Sequence, residues 1–142
     1  MKSLMPRMVA VLFVFIIGSF VFIHTNAGAE ISVESYCQLC IEVMQQEIAH
    51  FQELIPLVNQ YKSDPALLQE EENNKQNEFQ EARDSLFDSF GVKGSEYAFF
   101  MGKHEREVSA YLEKHSPVKQ KIDYLSGEVN SLLEEYENQK GR

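Results

Sequence analysis

The stretch CQLCIEVMQQEIAHFQELIPLV (residues 37–58) decides the fold, because its apolar residues recur at alternating spacings of four and three. The recurring residues are Cys37, Ile41, Met44, Ile48, Phe51, Ile55 and Val58. A repeat of about 3.5 residues places such side chains along one side of an α-helix, and that stripe must be covered by other helices. The same spacing returns in Tyr97, Met101, His104, Val108, Tyr111 and His115, and then in Val118, Ile122, Leu125, Val129, Leu132 and Tyr136.

Residues that cap or break helices divide this pattern into segments. Ser35 and Gln38 have capping-box spacing, which predicts that the first helix begins near Tyr36. The run Lys62-Ser63-Asp64-Pro65 predicts an end near Tyr61 and a second helix from Pro65. Pro56 lies inside the first helix, where its ring removes a backbone hydrogen bond, so we expect a kink there.

Two further signals divide the second half of the chain. Gly91 predicts the end of the second helix near Phe90, followed by a turn over residues 91–95. Ser116-Pro117 predicts a kink or a short break in the helix that follows. No stretch alternates apolar and polar residues with a period of two. The sequence therefore predicts an all-α fold: an up-and-down antiparallel helical bundle, or helical hairpin, of three long or four shorter helices after an N-terminal signal helix.

Two aromatic pairs flank the turn at Gly91, namely Phe87 with Phe90 and Phe99 with Phe100. We expect these rings to close one end of the bundle. The alternative is that they are exposed together as a patch that binds a partner.

Residues 1–29 have the pattern of a secretory signal peptide. Lys2 and Arg7 precede an apolar run over residues 8–23, and Ala27-Gly28-Ala29 provides small residues before Glu30. The alternative is an uncleaved N-terminal anchor, although the run is shorter than the ~20 residues of a typical spanning helix. In both cases we expect a single helical domain, residues 30–142, outside the cytosol, either periplasmic or secreted.

The charge of residues 30–142 argues against several classes of partner. This segment carries 22 acidic and 11 basic residues, a net charge of −11. Proteins bind nucleic acid mainly through Lys and Arg, so we expect no nucleic-acid partner. Anionic membrane surfaces are disfavoured for the same reason, and a membrane is expected only if the leader is uncleaved. The sequence favours a protein partner or self-association, and it predicts no cofactor.

The motif Cys37-Gln38-Leu39-Cys40 is the main chemical signature of the chain. The predicted helix start places both thiols near a helix N-terminus, where the dipole and free N–H groups favour a thiolate. In an oxidising compartment the pair is a candidate for a local disulfide, an inter-chain bridge or redox exchange. Metal binding is a further alternative, since two thiolates supply half of a tetrahedral zinc site.

Three histidines are the remaining candidates. Glu47 and His50 have the Glu-x-x-His spacing of di-iron bundles, without the second copy that such sites need. We therefore keep Cys37, Cys40, Glu47 and His50 only as a candidate metal set. His104 and His115 fall on the apolar stripe of the third helix. They are expected to fill a partly polar core layer, or to act as a pH-sensitive packing switch.

No catalytic constellation is recognisable, so the sequence predicts a non-enzymatic protein. The leading hypothesis is a small exported helical protein that serves as an interaction or structural module of the cell envelope or secreted fraction. The alternative is an exported thiol–disulfide, redox-sensing or metal-binding protein that uses Cys37 and Cys40.

Overall fold

The computed structural model describes residues 30–141, which form four helices joined by short connections. In chain order these are α1 (Val33–Gln60), α2 (Pro65–Ser89), α3 (Gly94–Lys114) and α4 (Ser116–Lys140). These residues include no strand, which confirms the all-α, up-and-down bundle in its four-helix form. The predicted leader, residues 1–29, lies outside them. Within the described part, none of the helices combines the length and hydropathy needed to cross a membrane.

Helix α1 is the central element and packs against each of the other three, most extensively against α4. Helix α2 runs antiparallel to α1. Lys75 lies 3.0 Å from Glu53, and Arg83, which is later in α2, lies 3.4 Å from Glu47, which is earlier in α1. Helix α4 ends beside the end of α1, where the Asn59 amide donates to Gln139 at 2.8 Å. Helices α1, α2 and α4 therefore run up, down and up.

The central position of α1 explains why it is buried on more than one side. The predicted stripe is largely buried, including Cys37, Met44, Ile48, Phe51 and Val58. A second buried stripe, also spaced by four and three, was not predicted; it consists of Tyr36, Cys40, Val43, Glu47, His50 and Leu54. A helix contacted by three neighbours needs a wider packing surface than one heptad stripe provides.

The first helix begins three residues earlier than predicted. The Ser35 N–H donates to Ser32 Oγ at 3.1 Å, so Ser32 is the N-cap and Val33 the first helical residue. The capping box at Ser35 and Gln38 was therefore wrong. The helix continues past Pro56 to Gln60. As a result the two cysteines lie in the second turn instead of the first.

The later boundaries follow the sequence more closely. Asp64 caps α2 by accepting a hydrogen bond from the Leu67 N–H at 3.1 Å, and Pro65 is its first residue. Gly91 has φ +67°, a left-handed conformation that glycine adopts without steric cost. The predicted break lies at His115, and Pro117 stands in the first turn of α4.

Helix α3 bends at His104, a feature that the sequence pattern does not reveal. His104 has φ −121° and ψ 24°, outside the helical range. Before this bend, Tyr97 contacts Cys40 of α1. At the bend itself, His104 Nε2 lies 2.9 Å from a carboxylate oxygen of Glu30, which precedes α1. Helix α3 thus crosses the N-terminal end of α1 and covers the turns that carry the cysteines.

The conformation of Gly91 gives a test of this architecture. Gly91→Ala is expected to lower the free energy of unfolding by about 1–2 kcal/mol, because a Cβ is disfavoured at positive φ. The cause is conformational, since an added Cβ would meet no atom within 4 Å. Urea denaturation measures this change.

Gly127→Ala is the matched control, because Gly127 lies inside α4 and also has open space at its Cβ position. In a helix interior, alanine is expected to stabilise by about 0.5–1 kcal/mol. Equal effects of the two substitutions would be inconsistent with the left-handed turn at Gly91.

Candidate functional site

Both candidate cysteines are buried beneath α3. The side chains of Cys37 and Cys40 are 1% and 4% exposed, and the structure describes both as free thiols. The Tyr97 hydroxyl lies 3.7 Å from Cys40 Sγ, toward which it donates a hydrogen bond. The thiols are therefore part of the packed core where α1 meets α3.

An aromatic cluster seals this end of the bundle. The Tyr36 ring stacks on Phe100 with centroids 4.3 Å apart, and the Tyr97 ring lies 5.5 Å from Tyr36 and 5.3 Å from Phe87. This packing confirms the predicted hydrophobic end-cap for Phe87 and Phe100. Phe99 differs from its neighbour, because its side chain is 60% exposed.

Burial determines the acidity of the two thiols. It raises the pKa of Cys37 to about 11 and that of Cys40 to about 12, since an apolar environment disfavours the thiolate. The expectation that the helix terminus favours a thiolate was wrong. The earlier start of α1 places Cys37 and Cys40 beyond the first turn, where the dipole effect has declined.

Glu47 and His50 lie in a second cluster, between α1 and α2. Arg83 of α2 approaches Glu47 Oε1 at 3.4 Å, and it donates to the Val43 carbonyl at 3.3 Å and to Gln46 Oε1 at 3.0 Å. Burial raises the pKa of Glu47, and the Arg83 charge acts in the opposite direction. Glu47, one of the four predicted metal ligands, is thus paired with Arg83.

His50 is the buried histidine of the described residues, with 6% of its surface exposed. Its ring stacks on Phe79 of α2, with centroids 4.3 Å apart and an interplanar angle of 19°. Among residues 30–141, Nε2 has no hydrogen-bond partner. Burial lowers the pKa of His50, because the charged ring would lose its hydration.

The structure does not bring the candidate metal set together. Cys40 and Glu47 are seven residues apart on one helix, which corresponds to about 10 Å along its axis. Across the described residues, no group of three or more His, Cys, Asp or Glu side chains is arranged to hold a metal ion. The thiols and the Glu47–His50 pair are two separate clusters.

The other two histidines lie nearer to solvent than predicted. His104 bonds Glu30, and its ring lies 4.4 Å from that of Phe100. His115 is exposed, stacks on Tyr111 at 4.0 Å and contacts the Tyr111 carbonyl through Nδ1 at 2.8 Å. The predicted core layer was wrong for His115, because that residue ends α3 in a non-helical conformation and leaves the stripe.

Arg83 is a site residue that sequence reasoning missed. It is the single basic residue between Lys75 and Lys93, within a helix rich in acids. A lone Arg on an acidic helix indicates an ion pair, so the position of Arg83 in the sequence could have identified it as a candidate site residue. The actual partner, Glu47, lies 36 residues away in sequence and can be identified only from the packing of α1 against α2.

Thiol burial leads to a kinetic prediction. At pH 8, Cys37 and Cys40 should react with a chromogenic disulfide reagent at least ~100-fold more slowly in the native protein than in urea, because their raised pKa values leave little thiolate. Stopped-flow or manual absorbance measurements give both rates.

The control is a surface thiol, introduced as Ser131→Cys in a chain that carries Cys37→Ser and Cys40→Ser. Ser131 is exposed on α4, so the new thiol should react at nearly the same rate in both conditions. Native cysteines that react as fast as this surface thiol would show that the core around them opens readily.

In comparisons with known proteins, no family model, no curated protein and no solved structure matches this chain. Its function is therefore inferred from its own residues and their arrangement.

Proposed function

We propose that this protein is a small exported, non-enzymatic helical module that binds another protein or a second copy of itself. The observation that carries the proposal is the exposure of two large aromatic side chains, Phe99 on α3 and Tyr124 on α4, at 60% and 65%. Aromatic side chains contribute much of the binding energy in protein interfaces, because each removes a large apolar area from water.

The position of Phe99 supports this role. Its neighbour Phe100 is buried against Tyr36 and satisfies the end-cap. Consecutive helical residues project in different directions, so Phe99 cannot join the same core from its place in α3. The exposed Phe99 side chain is therefore available for contact with a partner.

The charge of the chain supports a protein partner over a polyanion. The whole sequence carries a formal charge of −9. Strong negative charge opposes binding to nucleic acid and to anionic lipid surfaces. A protein surface that is neutral or basic around an apolar pocket is the complementary partner.

The burial of the thiols weighs against the redox alternative. Exchange enzymes present an accessible cysteine with a lowered pKa, whereas burial raises the pKa of Cys37 to about 11. Cys40 also accepts a hydrogen bond from Tyr97 within the core. In this proposal the two cysteines act as small apolar packing residues.

The binding hypothesis predicts a loss of association in a surface variant. Phe99→Ser with Tyr124→Ser should weaken capture of a partner from the envelope or secreted fraction, or self-association in analytical ultracentrifugation, at least ~10-fold. The fold should stay intact, because surface substitutions usually change stability by less than about 0.5 kcal/mol.

Ala110→Ser with Gln120→Ser, at exposed positions on the same two helices, is the control and should bind like the wild type. The proposal fails if the wild-type protein is monomeric at high concentration and captures nothing, or if the aromatic variant binds as tightly as the control.

Export has a separate test. The leader pattern predicts that the exported protein begins at Glu30, because cleavage follows Ala27-Gly28-Ala29. N-terminal sequencing of the protein from the exported fraction measures this directly. Retention of Met1 would favour the anchor alternative, and recovery only from the cytosol would contradict export.

A further inference from the structure

The interface between α1 and α2 contains a buried ring nitrogen without a partner. His50 is 94% buried, stacks on Phe79 of α2 and leaves Nε2 without a hydrogen bond among the described residues. Buried polar atoms are nearly always paired, so an orphaned nitrogen at a helix interface requires an explanation. Protonation of the His50 ring would place a positive charge in this interface.

Helix α2 is attached mainly through polar contacts. All of its residues are described, and only Glu72 and Phe87 are buried. The contacts with α1 include Lys75 with Glu53 at 3.0 Å and the Gln46 amide with the Ala82 carbonyl at 3.1 Å. Helix α4, by contrast, buries Ile122, Leu125 and Val129. The α1–α2 interface therefore depends less on apolar burial than the α1–α4 interface.

Charged groups of both signs surround His50. Burial is the largest influence on the His50 pKa and lowers it; Gln76 of α2 and Glu53 of α1 favour the charged ring, whereas Arg83 and Lys75 of α2 disfavour it. Glu53 already pairs with Lys75, and Glu47 with Arg83. The neighbouring charges therefore act in opposite directions, and the loss of hydration in the closed interface is what disfavours an imidazolium at His50.

The N-terminal half of α2 contacts α4 through Glu72. Glu72 accepts hydrogen bonds from the Tyr136 hydroxyl at 2.5 Å and from Lys140 at 2.9 Å. This contact is two turns along α2 from Phe79, and it is also polar. Opening of α2 breaks these ion pairs and hydrogen bonds, and Phe87 is the one buried apolar side chain of α2 that it withdraws from the core.

We propose that α2 is an acid-released arm: protonation of His50 opens the α1–α2 interface while α1, α3 and α4 stay packed. Release exposes the side of α1 that carries Glu47 and His50. This inference is independent of the proposed binding function, because it concerns the closed and open states of the protein alone.

The direction of the pH dependence follows from linkage. Burial lowers the pKa of His50 in the closed form, and the open form has the ordinary value near 6.5. Both forms are neutral well above pH 6.5, so protonation does not weaken the closed state there. As the pH falls through 6.5 the open form takes up the proton first, and the ratio of closed to open protein falls by up to tenfold per pH unit until the lowered pKa of the closed form is reached.

Glu47 acts in the opposite direction and must be separated from His50. Burial raises the pKa of Glu47 in the closed form, so acidification favours closure through this carboxyl group. A variant that removes only the titration of His50 separates the effect of His50 from that of Glu47. His50→Phe removes the titrating ring and preserves an aromatic surface for Phe79.

The test is residue-resolved hydrogen exchange of the purified protein at pH 7.5, 6.5 and 5.5, expressed as protection factors. In the wild type, protection of α2 amides should fall at least ~5-fold relative to α4 amides between pH 7.5 and 5.5. In His50→Phe this relative decrease should be absent. His115→Gln removes an exposed histidine and should behave like the wild type.

Three hydrogen-exchange results would overturn the proposal: equal loss of protection in α2 and α4, an unchanged α2 at pH 5.5, or a decrease that persists in His50→Phe. If His50→Phe does not fold, His50→Gln replaces it. The wild type also provides its own check by NMR, since α2 opening must track the titration of the His50 ring signals. A different midpoint would contradict the assignment to His50.

Discussion

The burial of α1 is the constraint on which the rest of the structure depends. A single helix with two buried stripes cannot be covered by one neighbour, so three other segments must pack around it. Helix α4 covers one side with aliphatic residues, and α3 crosses the N-terminal end with aromatic ones. Helix α2 receives what is left, a strip that includes Glu47 and His50. The polar character of the α1–α2 interface is thus a consequence of how α1 distributes its residues.

The same constraint accounts for the behaviour of the cysteine pair. A thiol near a helix N-terminus is activated only if water and the terminal N–H groups can reach it. Here the ring of Tyr97 and the stacked pair Tyr36 and Phe100 close over the second turn of α1. The CxxC spacing is therefore not a sufficient indicator of redox chemistry. What matters is whether the adjacent helix leaves the sulfur atoms open, and α3 does not.

The sequence predicted the helices well because caps and breakers act locally. Three helix boundaries are fixed by local conformation, at Asp64, Gly91 and Pro117. Such boundaries can be identified from the few residues around each position. The failures involve choices that only tertiary packing decides. Ser32 and Ser35 are both suitable caps, and a heptad stripe does not reveal that α1 has three neighbours. Likewise the bend at His104 coincides with its contact to Glu30, 74 residues away. For the site, the sequence identified Glu47 and His50 as a pair, but it assigned the buried, pH-sensitive position to His104 and His115.

An interface that opens reversibly must expose little apolar surface when it opens. It also needs a group whose change of charge shifts the equilibrium between the closed and open states. Helix α2 meets both requirements, since Phe87 is its one buried apolar side chain, whereas the release of Ile122, Leu125 and Val129 of α4 would expose the main core. Near the middle of α2, Phe79 stacks on the His50 ring. One proton converts that contact into a buried cation beside Lys75 and Arg83. The cost of burying this charge falls on the most weakly anchored helix, so the bundle has a defined point at which it can open without unfolding.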